Sequence, residues 1–129
     1  MRVDKRQLGK GGPHVPVLCF GGWPLSGAFG EYPEAQGVQT IHAALDAGIH
    51  FIDTAESYGA SEAVIGKALE GRRNEVFLAS KLSYDQSEEH MDAAIENSLR
   101  ALRTDYLDLY QLHSPKHEWP ISETMGHLL

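Results

Sequence analysis

The chain has 129 residues, 42% hydrophobic and 22% charged, which is enough for one domain with its own core and ordinary for a folded protein. Its formal net charge of −7 argues against nucleic acid or an anionic membrane as the main partner, while leaving room for a small cationic pocket. A single cysteine, Cys19, excludes an internal disulfide; the charged start MRVDKRQLGK has no apolar run behind it, and no stretch nears the roughly 18 apolar residues of a membrane helix, so the expectation is a cytoplasmic protein without a signal peptide.

Residues 1–16 alternate weakly and carry Gly9, Gly11, Gly12 and Pro13. That predicts two short strands around a tight turn. Residues 15–20 form an apolar run broken only by Pro16, and its second half predicts the first buried strand, ended by Gly21 and Gly22. Trp23, Pro24 and a loop of small residues follow. Residues 34–47 have the helical period, with Val38, Ile41 and Leu45 on one face and Gly48 as the stop. Strand two is expected at 49–52.

Ser61 is placed to cap a short helix bearing Ile65, Ala68 and Leu69, ended by Gly71. Strand three is expected at 76–79. Ser87 then caps a longer helix, with Glu88 and Glu89 in its first turn, Arg100 and Arg103 in its last, and Met91, Ile95, Leu99 and Leu102 as its buried stripe. Strand four is expected at 106–112. A last helix starts at 121 with Ser122 as its cap. The order is hairpin, then β and α in strict alternation, which predicts an α/β fold with a parallel sheet and right-handed crossovers. Each βα unit takes about 30 residues.

Three strand tips carry titratable groups. Asp53 follows strand two, with Tyr58 in the same loop; Lys81 follows strand three; His113 follows strand four. Neighbouring parallel strands lie roughly 4.8 Å apart, so groups distant in sequence meet at one end of the sheet, where β/α folds build their sites. The chemistry of such a set is coherent. A phenol is a weak acid, with a reference pKa of about 10, and a nearby ammonium favours its phenolate. A carboxylate holds the ammonium, and an imidazole donates a hydrogen bond to a carbonyl oxygen. Together they would polarise and protonate a C=O. They supply no hydride, so a reduction would need a nicotinamide. The plain alternative is that Asp53 caps a turn and that these groups are structural ion pairs at strand ends.

Other residues read more simply. Asp108 suits a structural carboxylate with a buried partner. His113 and His117 are separated by Pro115, so they share no helix face and no metal site is expected. His14, His42, His50, His90 and His127 are expected on the surface or on helix sides, and Cys19 as a small apolar packing group. Gly21 and Gly22 lack the rest of a dinucleotide fingerprint.

The stretch GIHFIDTAESYG, followed by SEAVIGKALEG, resembles the signature region of the aldo-keto reductases. The resemblance continues through EVFLASK, SLRALRTDYLDLYQLH, the LGKGG hairpin and the FGGW turn, and covers essentially the whole chain. It implies a (β/α)₈ barrel with a hairpin across its bottom, of which the N-terminal hairpin and four βα units are present: one partial domain, 1–129, cut in its fourth helix. It implies reduction of an aldehyde or ketone with NADPH, or with NADH, and no metal. In that scheme Tyr58 is the general acid, Lys81 its partner, Asp53 the counter-ion of the lysine, and His113 the group orienting the carbonyl. Gly22 and Trp23, with Asp53, would border the cofactor. Such a barrel needs about 250 residues, and the family's contacts to the rest of the cofactor come largely from the other half. Two further readings stay open: a non-catalytic binding or regulatory module, or inactive product, of reductase-like shape, and a self-sufficient flavodoxin-like sheet. Half a barrel leaves sheet edges unpaired, so self-association is expected.

Overall fold

Two sheets organise the chain in the computed structural model, which describes residues 3–129. The first is a hairpin of β1 (Lys5–Gln7) and β2 (His14–Pro16), antiparallel, with Arg6 opposite Val15. The second is parallel and contains β3 (Phe20–Gly21), β4 (Phe51–Asp53), β5 (Phe77–Leu82) and β6 (Leu109–Leu112) in that order. The crossovers carry α1 (Glu34–Asp46), α2 (Ser61–Ala68) and α3 (Glu88–Ala101), and α4 (Ile121–Leu128) follows β6. This is the expected α/β fold. Among the described residues no helix is long and apolar enough to cross a membrane.

The core lies between sheet and helices. Ile41 and Leu45 of α1, Ile52 of β4, Val64 and Ile65 of α2, Leu78 of β5 and Leu102 after α3 pack into one cluster. Leu82, Met91 and Ala94 form a second. Side chains alternate along each strand. On β5, Leu78, Ser80 and Leu82 meet the helices. Phe77 meets Phe51 of β4, with ring centroids 5.0 Å apart, and Lys81 reaches Asp53 on that same inner face.

Several boundaries differ from the sequence reading, each for a local reason. The strand expected to be the first buried one is only Phe20–Gly21, with Phe20 half-buried and Gly21 exposed. The hairpin claims Val15 and Pro16, Val17 N–H still donates to Asp4 O, and Val17 and Leu18 are exposed. Strand two starts at Phe51 because Ile49 N–H closes α1 by donating to Ala44 O, after Gly48 at φ 91°. Strand three starts after Val76 and runs on to Leu82, so Lys81 lies within the strand rather than beyond it.

Strand four is shortened because Tyr106 and Asp108 bind Arg73. Tyr106 O and Asp108 Oδ2 accept from Arg73 Nη2 at 3.0 and 2.8 Å, and Asp108 Oδ2 also accepts from Leu78 N–H at 2.8 Å. Asp108 is therefore the structural carboxylate expected, with a largely buried cation as partner.

Ser61 is not a cap. Ala60 holds the N-cap position with helical angles and no side-chain bond. Tyr58 O accepts from Ser61 N–H at 2.9 Å, so the turn runs straight into the helix. Ser61 is instead buried, and its hydroxyl donates to Gly22 O at 2.9 Å. Ser87 does cap α3: its Oγ accepts from His90 N–H at 3.3 Å. Of the expected stripe on α3, Met91 and Leu102 are buried. Ile95 and Leu99 are only half-buried, and Ala94 and Ser98 take the innermost positions. Ser122 lies inside α4, whose N-cap is Pro120.

Candidate active site

Asp53 ends β4, and register places it beside Ala79 of β5, with Lys81 one step further along the same face. The Lys81 ammonium reaches back: its Nζ is 2.5 Å from Asp53 Oδ2 and donates to Thr54 O at 2.9 Å. Lysine and aspartate side chains are 13% and 29% exposed, so solvent screens this pair less than a surface one. Asp53 Oδ1 accepts from Gln111 Nε2 at 3.1 Å. Three strands thus meet at one carboxylate.

Tyr58 sits in the loop after β4, over this pair. Its ring centroid is 5.1 Å from Lys81 Nζ. Trp23 packs edge-on against it at 5.0 Å, and His113 does so at 5.5 Å. Among the described residues nothing hydrogen-bonds to the Tyr58 hydroxyl, although the side chain is held on three sides. Asp53, Tyr58, Lys81 and His113, named from strand-tip spacing, are therefore brought together. The phenol ring lies 5.1 Å from the ammonium and 5.5 Å from the imidazole ring.

Trp23 is aimed by Gly22. That glycine spends both backbone groups internally: its N–H donates to Asp53 O at 2.7 Å, and its carbonyl accepts from Ser61 Oγ and from Leu25 N–H. A Cβ on Gly22 would lie 2.6 Å from Ser61 Oγ and 3.1 Å from Asp53 O. Gly22 thus packs into the wall, and Trp23, 45% exposed, faces outward from the 3₁₀ turn Trp23–Ser26.

Cys19 is exposed rather than packed as a small apolar group. The residue precedes a strand of only two residues, so little chain covers it. Its sulfur still leans on Phe20 O at 3.7 Å. Partial burial, with the Asp53 charge second, pushes its thiol up to about 11.

Four contributors were not legible as site residues. Gln111 stands two residues before His113, and period-two alternation was the available signal. Ser83, Ser57 and Glu56 form a network behind His113. Ser83 Oγ is 2.9 Å from His113 Nδ1, Ser57 Oγ donates to Ser83 Oγ at 3.0 Å, and Glu56 Oε1 accepts from Ser83 N–H at 2.5 Å. Small polar residues in loops carry no spacing rule that singles them out.

This fold and site have known counterparts. Aldo-keto reductase YhdN of Bacillus subtilis is 44% identical over 121 residues, covering 83% of this chain and 37% of the relative. A 6-dehydroglucose reductase of Novosphingobium aromaticivorans is 39% identical, covering 85% and 41%. The holo form of an aldo-keto reductase from Bacillus halodurans superposes with a TM-score of 0.87 at 36% identity, covering 98% of this chain and 45% of that one. A Klebsiella pneumoniae aldo-keto reductase in complex with NADPH gives 0.84 at 36%, covering 98% and 44%. The chain thus spans under half the length of these proteins. Its residues 17–129 match the model of the aldo/keto reductase family, and to that family the chain belongs.

Proposed function

We propose that this chain carries the proton-delivering part of an NADPH-dependent oxidoreductase that reduces an aldehyde or ketone to an alcohol. The observation behind this reading is the Tyr58 hydroxyl, unbonded among the described residues, above a Lys81–Asp53 pair and beside His113.

The residues fit a nicotinamide. None of the four side chains can give up a hydride, while together they offer what a hydride donor lacks: a proton and a place for developing negative charge. When bound, the nicotinamide supplies the hydride. Tyr58 gives its proton to the carbonyl oxygen, and Lys81 stabilises the phenolate left behind. Asp53, itself held by Gln111, keeps Lys81 charged and in place. His113 donates a hydrogen bond to the same oxygen as charge builds on it. Trp23, with Gly22 behind it, walls the space where cofactor and substrate meet. In reverse, the phenolate takes the proton of an alcohol. The NADPH-bound relative supports NADPH as the cofactor, with NADH as the alternative. The substrate is a small carbonyl compound, and the protein's place is the cytoplasm.

A second reading is a reductase-like module without turnover. It is favoured by the open sheet, in which β3 and β6 are edges with one neighbour each among the described residues. Those edges also support pairing with another copy, or with a complementary half-barrel. Titration of NADPH against Trp23 and Trp119 fluorescence, followed by an aromatic aldehyde assay, separates the two. The protein is tested alone and complemented with the C-terminal half of the Bacillus subtilis relative. Binding with turnover that fails in Tyr58→Phe supports the enzyme. No binding near the roughly millimolar upper end of enzyme substrate affinities in either form removes it.

A further inference from the structure

His113 serves a carbonyl oxygen only if the ring nitrogen that meets that oxygen carries a hydrogen. A neutral imidazole has one N–H, and the partner of the other nitrogen decides where it sits. Nδ1 lies 2.9 Å from Ser83 Oγ. Either the ring donates across this contact, or the hydroxyl does.

The surroundings of Ser83 decide between them. Its Oγ already accepts from Ser57 Oγ at 3.0 Å. Its own hydrogen has two acceptors within reach among the described residues: His113 Nδ1 at 2.9 Å and Lys81 O at 3.5 Å. Hydroxyl donors bond at about 2.5–3.0 Å, so the carbonyl is too far to compete. A hydroxyl hydrogen directed at Nδ1 leaves the ring hydrogen on Nε2.

The geometry points to a hydrogen-bond relay, Ser57 to Ser83 to His113, that holds His113 in the Nε2–H form and so fixes the site as a donor to an acceptor-only oxygen. Ser57 and Ser83 are positioning residues in it, and the inference rests on the reading of His113 as the group that meets the carbonyl oxygen. The relay is anchored at both ends. Glu56 Oε1 accepts from the backbone N–H of Ser83 at 2.5 Å and of Tyr84 at 3.2 Å. The backbone N–H of His113 donates to Leu82 O at 2.9 Å. Leu82 and Leu112 are register partners, so the next residue on each strand is Ser83 or His113, and the two stand side by side.

The test is a long-range proton–nitrogen correlation spectrum of the full chain with ¹⁵N-labelled histidine, at a pH where the imidazole is neutral. It needs neither cofactor nor turnover. The relay predicts a pyridine-like Nδ1 and a pyrrole-like Nε2 for His113. Ser83→Ala should lose that split and move both nitrogens toward averaged shifts, and Ser83→Thr, which keeps the hydroxyl, should restore it. A pyrrole-like Nδ1 in the unmodified protein overturns the relay, whether or not the variants fold. So does a Ser83→Ala spectrum with the split unchanged. Because turnover is not read, a failure of the reductase reading would leave this result intact, and a wrong tautomer would leave the role of Tyr58 untouched.

Discussion

Lys81 Nζ lies 2.5 Å from Asp53 Oδ2 across the β4–β5 junction, although 28 residues separate them in sequence. The contact exists because parallel register sets Asp53 against Ala79, one alternation short of Lys81. Asp53→Asn removes the counter-charge and keeps the shape. In a complemented, active barrel it is expected to lower kcat by about 10²–10⁴-fold, the usual scale of a general acid–base contribution. KM should change far less, since the pair acts as charge develops. Steady-state kinetics with a fixed aldehyde checks this. A rise in KM alone would mean that Asp53 only helps binding.

Gly22→Ala tests how Trp23 is held. The added Cβ would meet Ser61 Oγ at 2.6 Å and the Asp53 and Thr54 oxygens at 3.1 Å. All three atoms belong either to backbone or to a buried hydroxyl pair, so little can give way. The expected cost is about 1–3 kcal/mol in urea unfolding, typical of overpacking, together with a changed Trp23 emission. Wild-type stability with an unaltered spectrum would show that the loop relaxes freely.

Helix identity and strand order were legible in the chain because they depend on periodicity and punctuation. Ser87, Glu88 and Glu89 mark the start of α3, and Gly48, at φ 91°, stands just beyond the end of α1, as read. Strand limits were less legible, because they depend on what else claims each backbone group. Ile49 N–H goes to the helix end, and Tyr106 O goes to Arg73. Ser61 misleads for the same kind of reason. A serine before an apolar run fits a cap, and only tertiary packing turns it inward to Gly22. The convergence of Asp53, Tyr58, Lys81 and His113 could be read from strand-tip spacing. Gln111, Ser57, Ser83 and Glu56 could not, since their importance lies in hydrogen bonds between loops.

Glu62 gives the fold a pH dependence. The residue is 7% exposed, and its Oε1 accepts from Ser80 Oγ at 2.6 Å. Burial raises its pKa above the ordinary carboxyl range, against the smaller lowering by Ser80. The folded state therefore holds this proton more tightly than the unfolded chain. The associated stability is full below the unfolded value of about 4.3 and is lost as pH rises through the higher folded value. Glu62→Gln should remove this decline. Urea midpoints from about pH 4 to 8 are expected to fall more steeply for wild type than for the variant. Parallel curves would contradict it.

The open sheet predicts association. Among the described residues, strands β3 and β6 each lack a second neighbour, and unpaired edges template further pairing. Sedimentation of the 129-residue chain should show mass rising with concentration, and a complementary C-terminal half-barrel should suppress the rise. A monomer at every concentration would mean that the edges are protected by their own loops.

The most direct measurement is NADPH-linked aldehyde reduction by the complemented barrel, with Tyr58 intact and with Tyr58→Phe. The proton-donor account predicts turnover that falls by about 10²–10⁴-fold in the variant, with cofactor binding retained. Equal rates from the two proteins would contradict it, because the phenol would then deliver no proton to the carbonyl oxygen.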